Sequence, residues 1–188
     1  LVPAYRGKIP MVIKNTNNPK HPGTKIVLNH TDENVKVVGI AGDSGFVSIN
    51  TTKYLMNREV GFGRKLLQIL EDLNISWDHM PTGIDDLSVI LRSKELTPIK
   101  EQEILKHLIQ DLQVDYAEIE HDLSIIMIVG ENMKNQIGVT ATATKALSEN
   151  NINIQMISQG SSEVSIMFVV NQEQEKQAIK ALYDVFFK

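Results

Sequence analysis

The chain contains a second copy of part of itself. A shift of 77 residues (138 − 61) aligns Gly61 with Gly138 and Asn74–Ile75 with Asn151–Ile152, and no gap is needed. Six residues are identical over the 31 positions from 61 to 91, most of them at glycines and at the starts of strands. A duplicated supersecondary unit retains such positions, because glycine fixes where an element begins or ends. The repeat therefore predicts two small modules of one fold in this 188-residue chain.

Hydrophobic periodicity predicts the order βαββαβ for the repeated unit. Runs of β-branched and apolar residues predict strands, and apolar residues three and four positions apart predict helices. In the first copy the predicted strands are 46–50, 75–80, 87–91 and 114–119, and the predicted helices are 61–73 and the segment after Pro98. The predicted elements of the second copy are 123–129, 138–149, 152–157, 164–170 and 174–187. The fold class is therefore α+β, with antiparallel sheets that carry their helices on one face.

The second copy lacks its last strand. The counterpart of the strand near Asp115 would lie at position 192 (115 + 77), beyond the last residue of the chain. A run of β-branched residues at 35–41 precedes the first copy and has no assigned partner. An open strand edge promotes aggregation, so we expect this run to complete the sheet of the second module. The predicted organisation is a linker at 1–34, the exchanged strand at 35–41, a first module at 42–121 and a second module at 122–188.

Composition argues against several classes of function. The chain has no Cys, which removes thiol nucleophiles and thiolate metal sites and fits the reducing cytoplasm. Its net charge is −4 and its Lys and Arg residues are dispersed, so we expect no nucleic-acid partner. No apolar run approaches the roughly 20 residues that span a bilayer, so we expect no membrane partner. The five His residues have no paired spacing, and we expect no metal site.

The turns that start the helices favour small-molecule binding. A helix N-terminus offers unpaired backbone N–H groups and a partial positive charge, which suit a carboxylate, and a glycine there lets a ligand approach the backbone closely. An amino acid also needs acceptors for its ammonium group. Asp78, Asp85 and Asp86 lie on the next predicted strand and turn of the first copy. These features predict an amino-acid-binding module.

Several segments of the chain carry specific motifs. Residues Ile13–Pro19 and Pro22–Thr24 resemble the segment that follows the catalytic domain in the aspartate kinase family. Residues Ser76–Val89 resemble the first ACT module of the family, and Asn151–Glu163 resembles the hallmark of the second. The resemblance covers nearly the whole chain. It implies a C-terminal regulatory domain of two ferredoxin-like ACT modules, whose preceding linker comes from a kinase domain missing here.

The resemblance also implies a function. Aspartate kinases use ATP to phosphorylate the side-chain carboxylate of aspartate, which opens the pathway to lysine, threonine and methionine. The fragment itself would carry no catalytic residue, metal or cofactor, whereas the parent kinase would use ATP and Mg. It would bind an end product, lysine or threonine, and so give feedback inhibition through two states of different affinity. Its protein partners would be a second copy, through the ACT modules, and the kinase domain of its own full-length chain.

The effector pocket that the resemblance implies lies in the first module. Its residues, carried over by position, are Met56, Glu59, Phe62, Gly63, Ser76, Trp77, Asp78, Thr82, Asp85 and Asp86. The chain departs from the lysine-sensitive pattern at Glu59–Val60, which replaces a Ser-Arg type pair, and in a longer turn after Thr82. Lysine is favoured over threonine because its ε-ammonium group needs a carboxylate, and Glu59, Asp85 and Asp86 offer several.

The second module is expected to be mainly structural. Its counterparts of the residues at the helix start are Asn132, Gln136, Ile137 and Val139. Gln155 replaces Asp78 in the alignment, so this module lacks the corresponding carboxylate. We therefore expect it to contact the kinase domain or a neighbouring copy.

Simpler interpretations stand beside each of these hypotheses. Phe62 would be a core residue, Asp85–Asp86 ordinary turn residues, and Trp77 a packing or interface residue. Three other functions stay open. They are a hydrolase that uses Glu59 with Asp85 or Asp86 as acid and base, a sensor module of another protein such as a transcription regulator, and a ligand-free dimerisation module.

Overall fold

The chain forms two compact units, Leu1–Lys36 and Val37–Lys188. A computed structural model describes residues 2–27 and 36–188. The first unit contains helix α1 (Val2–Arg6) and an antiparallel pair of strands, β1 (Met11–Ile13) and β2 (Thr24–Ile26). The segment predicted as a linker thus carries secondary structure of its own, whereas residues 28–34 of that prediction lie outside the described residues.

The second unit is built on one antiparallel sheet of five strands. The strands are β3 (Gly39–Thr52), β4 (Asp86–Arg92), β5 (Tyr116–Val129), β6 (Met156–Gln159) and β7 (Ser165–Asn171). Their order across the sheet is β4-β3-β5-β7-β6. The sequence analysis predicts a separate sheet for each module, but the structure joins them, because β3 and β5 each run for 14 residues through both.

Strand β3 supplies the missing strand of the second copy. Its first half, 39–44, pairs with 124–129 of β5, which in turn pair with β7. Its second half, 46–52, pairs with β4. The exchange predicted for 35–41 is therefore seen in the residues from Gly39 onward; Val35 lies outside the described residues. The predicted strands 114–119 and 123–129 likewise merge into β5.

A bulge lets β3 serve both halves of the sheet. Gly45 has φ +81°, and the register with β5 shifts on both sides of Phe46. An extra residue at a bulge resets the alternation of side chains along a strand. Ile40 and Val47 therefore both point towards helices, although they are seven positions apart and regular alternation would place them on opposite faces.

Four helices cover one face of this sheet, as predicted. They are α2 (Phe62–Asp72), α3 (Pro98–Gln110), α4 (Val139–Glu149) and α5 (Glu175–Phe187). Helices α2 and α3 bury the apolar side chains of β4 and of the second half of β3, and helices α4 and α5 bury those of β7 and of the second half of β5. A smaller apolar cluster, Phe46, Ile90, Leu123 and Val169, lies on strands alone and faces away from the helices.

The repeated glycines are explained by the starts of α2 and α4. Gly61 and Gly138 precede these helices with φ values of +80° and +92°, in the left-handed region. A side chain with a Cβ is disfavoured there, so glycine is retained in both copies.

Two predicted strands differ from the structure. The segment 75–80 forms no named strand, and only His79 and Thr82 make isolated bridges to β4. The backbone N–H of Ser76 donates instead to the Glu95 carboxylate at 2.9 Å, so the chain joins the sheet only from Asp78 onward. The strand predicted at 152–157 begins later, at Met156, because the N–H of Ile152 still donates to Leu147 O at the end of α4.

Candidate functional site

The predicted site residues of the first module fall into three places. One group, Met56, Glu59, Phe62 and Gly63, lies where the chain passes from β3 into α2. The turn before β4 is hydrogen-bonded to this passage. The N–H of Lys53 donates to Asp85 O at 2.8 Å, and the N–H of Leu55 donates to Asp85 Oδ1 at 2.9 Å. The structure therefore brings the start of α2 and the turn 82–86 together at one end of the module.

Within this group Glu59 already has two cationic partners. Lys53 Nζ and Lys65 Nζ each lie 2.6 Å from a Glu59 carboxylate oxygen. Hydrogen bonds from the two ammonium groups, Lys53 first, hold the pKa of Glu59 below its usual range. Lys53 also donates to Leu112 O at 2.6 Å and lies 5.7 Å from the ring centroid of Phe62. Through Lys53, Glu59 thus ties the start of α2 to Leu112, two residues past the end of α3, which disfavours its predicted role as acceptor for an effector ammonium.

Phe62 and Met56 are core residues. Both are buried among the side chains of α2, α3 and the sheet, so the simpler interpretation of Phe62 is the one the structure supports. Gly63 differs, since no described atom lies within 4 Å of a Cβ built on it. The side of α2 at Gly63 therefore borders open space.

The carboxylates of Asp85 and Asp86 make the close contacts of the turn 82–86. Gly83 N–H donates to Asp86 O at 2.8 Å, and a Cβ at Gly83 would collide with the Asp86 carboxylate. Asp85 accepts the Leu55 N–H, which is the ordinary turn role considered for it. Asp86 and Thr82 are exposed beside it.

Ser76 and Trp77 lie at the opposite end of α2. They border a surface groove of about 850 Å³ with residues from the end of α2 and the start of α3, among them Lys94, Glu95 and Lys100. The Ser76 hydroxyl donates to Glu95 at 2.8 Å, and these bonds lower the pKa of Glu95. Helix α2 has 11 residues, a length of about 16 Å, so this groove is remote from Gly63.

Asp78 occupies a third place, on the sheet face that carries no helix. Its carboxylate lies 3.8 Å from Arg92 Nε, and Arg92 Nη2 lies 2.7 Å from Asp43 Oδ2. The Arg92 guanidinium also stacks over the Phe46 ring at 4.1 Å. The hydrogen bond between Arg92 and Asp43 lowers the pKa of Asp43 and raises that of Arg92. Sequence analysis missed Arg92, because its partners are 14 and 49 residues away (92 − 78 and 92 − 43).

The second module has a groove of its own at the start of α4. It has a volume of about 670 Å³ and is bordered by Gln136, Gly138, Thr140, Gln159, Gly160 and Glu163, among others. These positions correspond to the start of α2 and the turn after Thr82 under the 77-residue shift. The repeat itself could have indicated this groove. Gln155, the counterpart of Asp78, donates to Glu120 Oε1 at 2.6 Å instead of joining an arginine.

The described residues lack two further features, a metal-binding cluster and a membrane-spanning helix. Across residues 2–27 and 36–188, no three His, Asp or Glu side chains converge to hold a metal ion. Of the described helices, none has the length and apolar character that crossing a membrane requires.

Comparison with known proteins finds an ACT domain and similarity to aspartokinases. Residues 126–186 match the ACT domain family. Over 187 residues the chain is 51% identical to Aspartokinase 3 of Bacillus subtilis (strain 168), covering 100% of this chain and 41% of that protein. It is 32% identical to the bifunctional aspartokinase/homoserine dehydrogenase of Haemophilus influenzae, covering 98% of this chain and 23% of that protein.

Solved structures give the same result. The aspartate kinase of Clostridium acetobutylicum superposes with a TM-score of 0.90 at 37% identity, over 98% of this chain and 43% of that one. Escherichia coli aspartokinase III in complex with lysine and aspartate superposes with a TM-score of 0.78 at 24% identity, over 100% and 41%.

The fold, the repeated helix starts and these matches define a regulatory domain of the ACT type. Over nearly its whole length the chain is homologous to the regulatory ACT region of aspartokinases. It spans less than half the length of these relatives.

Proposed function

We propose that the chain is the effector-binding regulatory domain of an aspartate kinase and that it mediates feedback inhibition by lysine. The observation that carries the proposal is the match over the whole chain to aspartokinases, at 51% identity in sequence and with a TM-score of 0.90 in structure. The related Escherichia coli enzyme of the same fold was solved with lysine bound, which supports lysine as the first ligand to test.

The geometry of the first module suits an amino acid. The open first turn of α2 at Gly63 would receive the α-carboxylate, because backbone N–H groups and the helix dipole favour an anion there. The ammonium groups would bind carboxylates of the edge segment and its turn, Asp78, Asp85 and Asp86. Glu59 is the least suited of the predicted acceptors, since two lysines already neutralise it.

The residues of the effector pocket that the family resemblance implies, given in the sequence analysis, remain part of this proposal. A single chain does not gather Ser76, Trp77 and Asp78 with Gly63, so a pocket containing all of them would need a second copy. We therefore propose that the effector binds in a cytoplasmic homodimer, between paired first modules. The attached kinase domain, which would use ATP and Mg to phosphorylate aspartate, would lose activity because lysine binds its inactive state more tightly.

Isothermal titration of the full chain with lysine and with threonine, alongside light scattering, tests the proposal. We expect saturable lysine binding near one ligand per chain and a dimeric mass. Threonine binding in place of lysine would keep the regulatory function and change its effector. Failure of both amino acids to bind a dimer would favour the ligand-free dimerisation module.

A further inference from the structure

Arg92 links two carboxylates that belong to different halves of the sheet. It lies at the end of β4, directly opposite Phe46 of β3. Asp43 lies in the half of β3 that pairs with the second-module strand, where its partner is Ile125. Asp78 lies in the edge segment of the first module, where its N–H donates to Ile90 O at 2.8 Å.

The two carboxylates hold Arg92 unequally. The Nη2–Asp43 Oδ2 distance of 2.7 Å is that of a short, charge-assisted hydrogen bond. The Nε–Asp78 Oδ2 distance of 3.8 Å exceeds hydrogen-bond range. Asp78 therefore interacts with the charge of Arg92 but accepts no hydrogen bond from Nε. Stacking on Phe46 at 4.1 Å restricts the guanidinium plane further.

This inequality leaves Asp78 able to bind another cation. Its side chain is 41% exposed, so an ammonium group from solvent can reach it. An ammonium at hydrogen-bond distance would interact more strongly with the carboxylate than Arg92 does at 3.8 Å. At 3.8 Å Arg92 competes with that ammonium only weakly, and it would compete strongly if it moved about 1 Å closer to Asp78.

We propose that Asp43 is a positioning residue that holds Arg92 away from Asp78 and thereby sets the affinity of Asp78 for the ammonium group of an amino-acid effector. This inference rests on the proposed function of the domain. It makes a residue in the second-module half of β3 control binding in the first module, through one arginine side chain.

The inference predicts effects of opposite sign at the two residues. In Asp43→Asn the arginine loses its charged partner and closes on Asp78, so lysine must displace it and binds more weakly. In Arg92→Gln the competing cation is gone, so lysine binds more tightly. Exposed charge pairs of this kind support changes of about three- to fivefold in Kd in each direction.

Titration calorimetry with lysine on the full chain measures these changes. Asp43→Glu, which restores a carboxylate on a longer side chain, should recover most of the wild-type affinity. Glu149→Gln is the matched control, because it removes an exposed carboxylate from an ion pair on α4, with Lys145. Its Kd for lysine should equal that of the wild type.

The double variant Asp43→Asn/Arg92→Gln separates positioning from a general charge effect. If Asp43 acts through Arg92, adding Asp43→Asn to Arg92→Gln should leave the Kd unchanged. A further weakening of the same size in both backgrounds would overturn the inference, because Asp43 would then act independently of Arg92.

A ligand-free measurement distinguishes failure of this inference from failure of the proposed function. The NMR signal of Arg92 Nε–Hε should shift in Asp43→Asn as Nε begins to donate to Asp78, and should not shift in Glu149→Gln. An unchanged signal, or equal Kd values in all variants of a lysine-binding chain, would overturn this inference alone. Absence of amino-acid binding by the wild type, with the expected NMR shift, would overturn the proposed function and the effector role drawn from it.

Discussion

Glu59 shows how a residue predicted to bind a ligand can be a structural one. Its carboxylate bridges Lys53 and Lys65, and their ammonium groups lower its pKa from the ordinary 4.5. A carboxyl group whose pKa is lower in the folded state than in the unfolded state stabilises the fold at pH values above its unfolded pKa. This stabilisation is lost as the pH falls through the folded-state pKa.

We therefore expect Glu59→Gln to lower the Tm at pH 7, and this difference from the wild type to shrink once the pH falls below about 4.5. Thermal unfolding of both proteins across this pH range checks the prediction. Glu149→Gln, whose carboxylate lies 3.7 Å from Lys145, should change the Tm less. A Tm difference that persists unchanged into acid would contradict the role assigned to the Glu59 charge.

His79 is predicted to make stability sensitive to mild acid. Its Nε2 is buried without a hydrogen-bond partner among the described residues, and burial lowers the pKa of His79 from 6.5. As the pH falls below 6.5, the unfolded chain takes up a proton that the folded chain resists, so stability declines.

Replacing His79 with Leu should remove this decline between about pH 7 and pH 5, as measured by urea unfolding at each pH. His107→Gln serves as the control, since His107 is exposed and paired with Asp111, and the decline should persist in that variant. The same pH slope in wild type and His79→Leu would show that His79 is not its source.

At the scale of elements, Gly42 of β3 lies in close contact with α5. A Cβ at Gly42 would lie 2.6 Å from the terminal methyl of Ile179 on α5. We expect Gly42→Val to cost about 1–3 kcal/mol in unfolding free energy, because added atoms must displace a packed helix. Chemical denaturation of the variant measures this loss.

Two matched variants test the assigned contact. Ile179→Ala combined with Gly42→Val should recover part of the stability lost in the single variant, since it removes the colliding side chain. Gly63→Ala adds a Cβ to a helix where it meets open space, and should not destabilise the chain. If the effects of the substitutions at positions 42 and 179 on unfolding free energy are simply additive, this account of the packing is contradicted.

The elements that sequence could predict are those with local signals. Helices α2 and α4 begin one residue after Gly61 and Gly138, within one residue of the prediction, because a left-handed glycine marks the start of each. The strand at 75–80 was wrong because Ser76 binds Glu95, 19 residues later. Hydrophobic periodicity contains no information about such a contact. The Asp78–Arg92 pair, 14 positions apart, is nonlocal in the same way, so the sequence indicated Asp78 but not its partner.

At the scale of the whole molecule, the two modules differ in charge at equivalent places. Asp78 faces a guanidinium, whereas its counterpart Gln155 donates to Glu120. We expect Asp78→Ala to raise the Kd for lysine about tenfold or more, because a charged acceptor is lost, and Gln155→Ala to leave it nearly unchanged. Titration calorimetry of both variants checks this asymmetry. Equal losses would contradict the assignment of effector binding to the first module.

The unbroken course of β3 and β5 also has a mechanical consequence. Two parts joined by a flexible connection can turn against each other without deforming either one. Here any torque on one part must pass through two 14-residue strands that cross the boundary, so the sheet transmits it as twist. Gly45 and its bulge interrupt the regular pairing of β3, and a bulge increases the local twist of a strand. We therefore expect the unit Val37–Lys188 to deform by twisting of one continuous sheet, and not by rotation of two modules about a hinge.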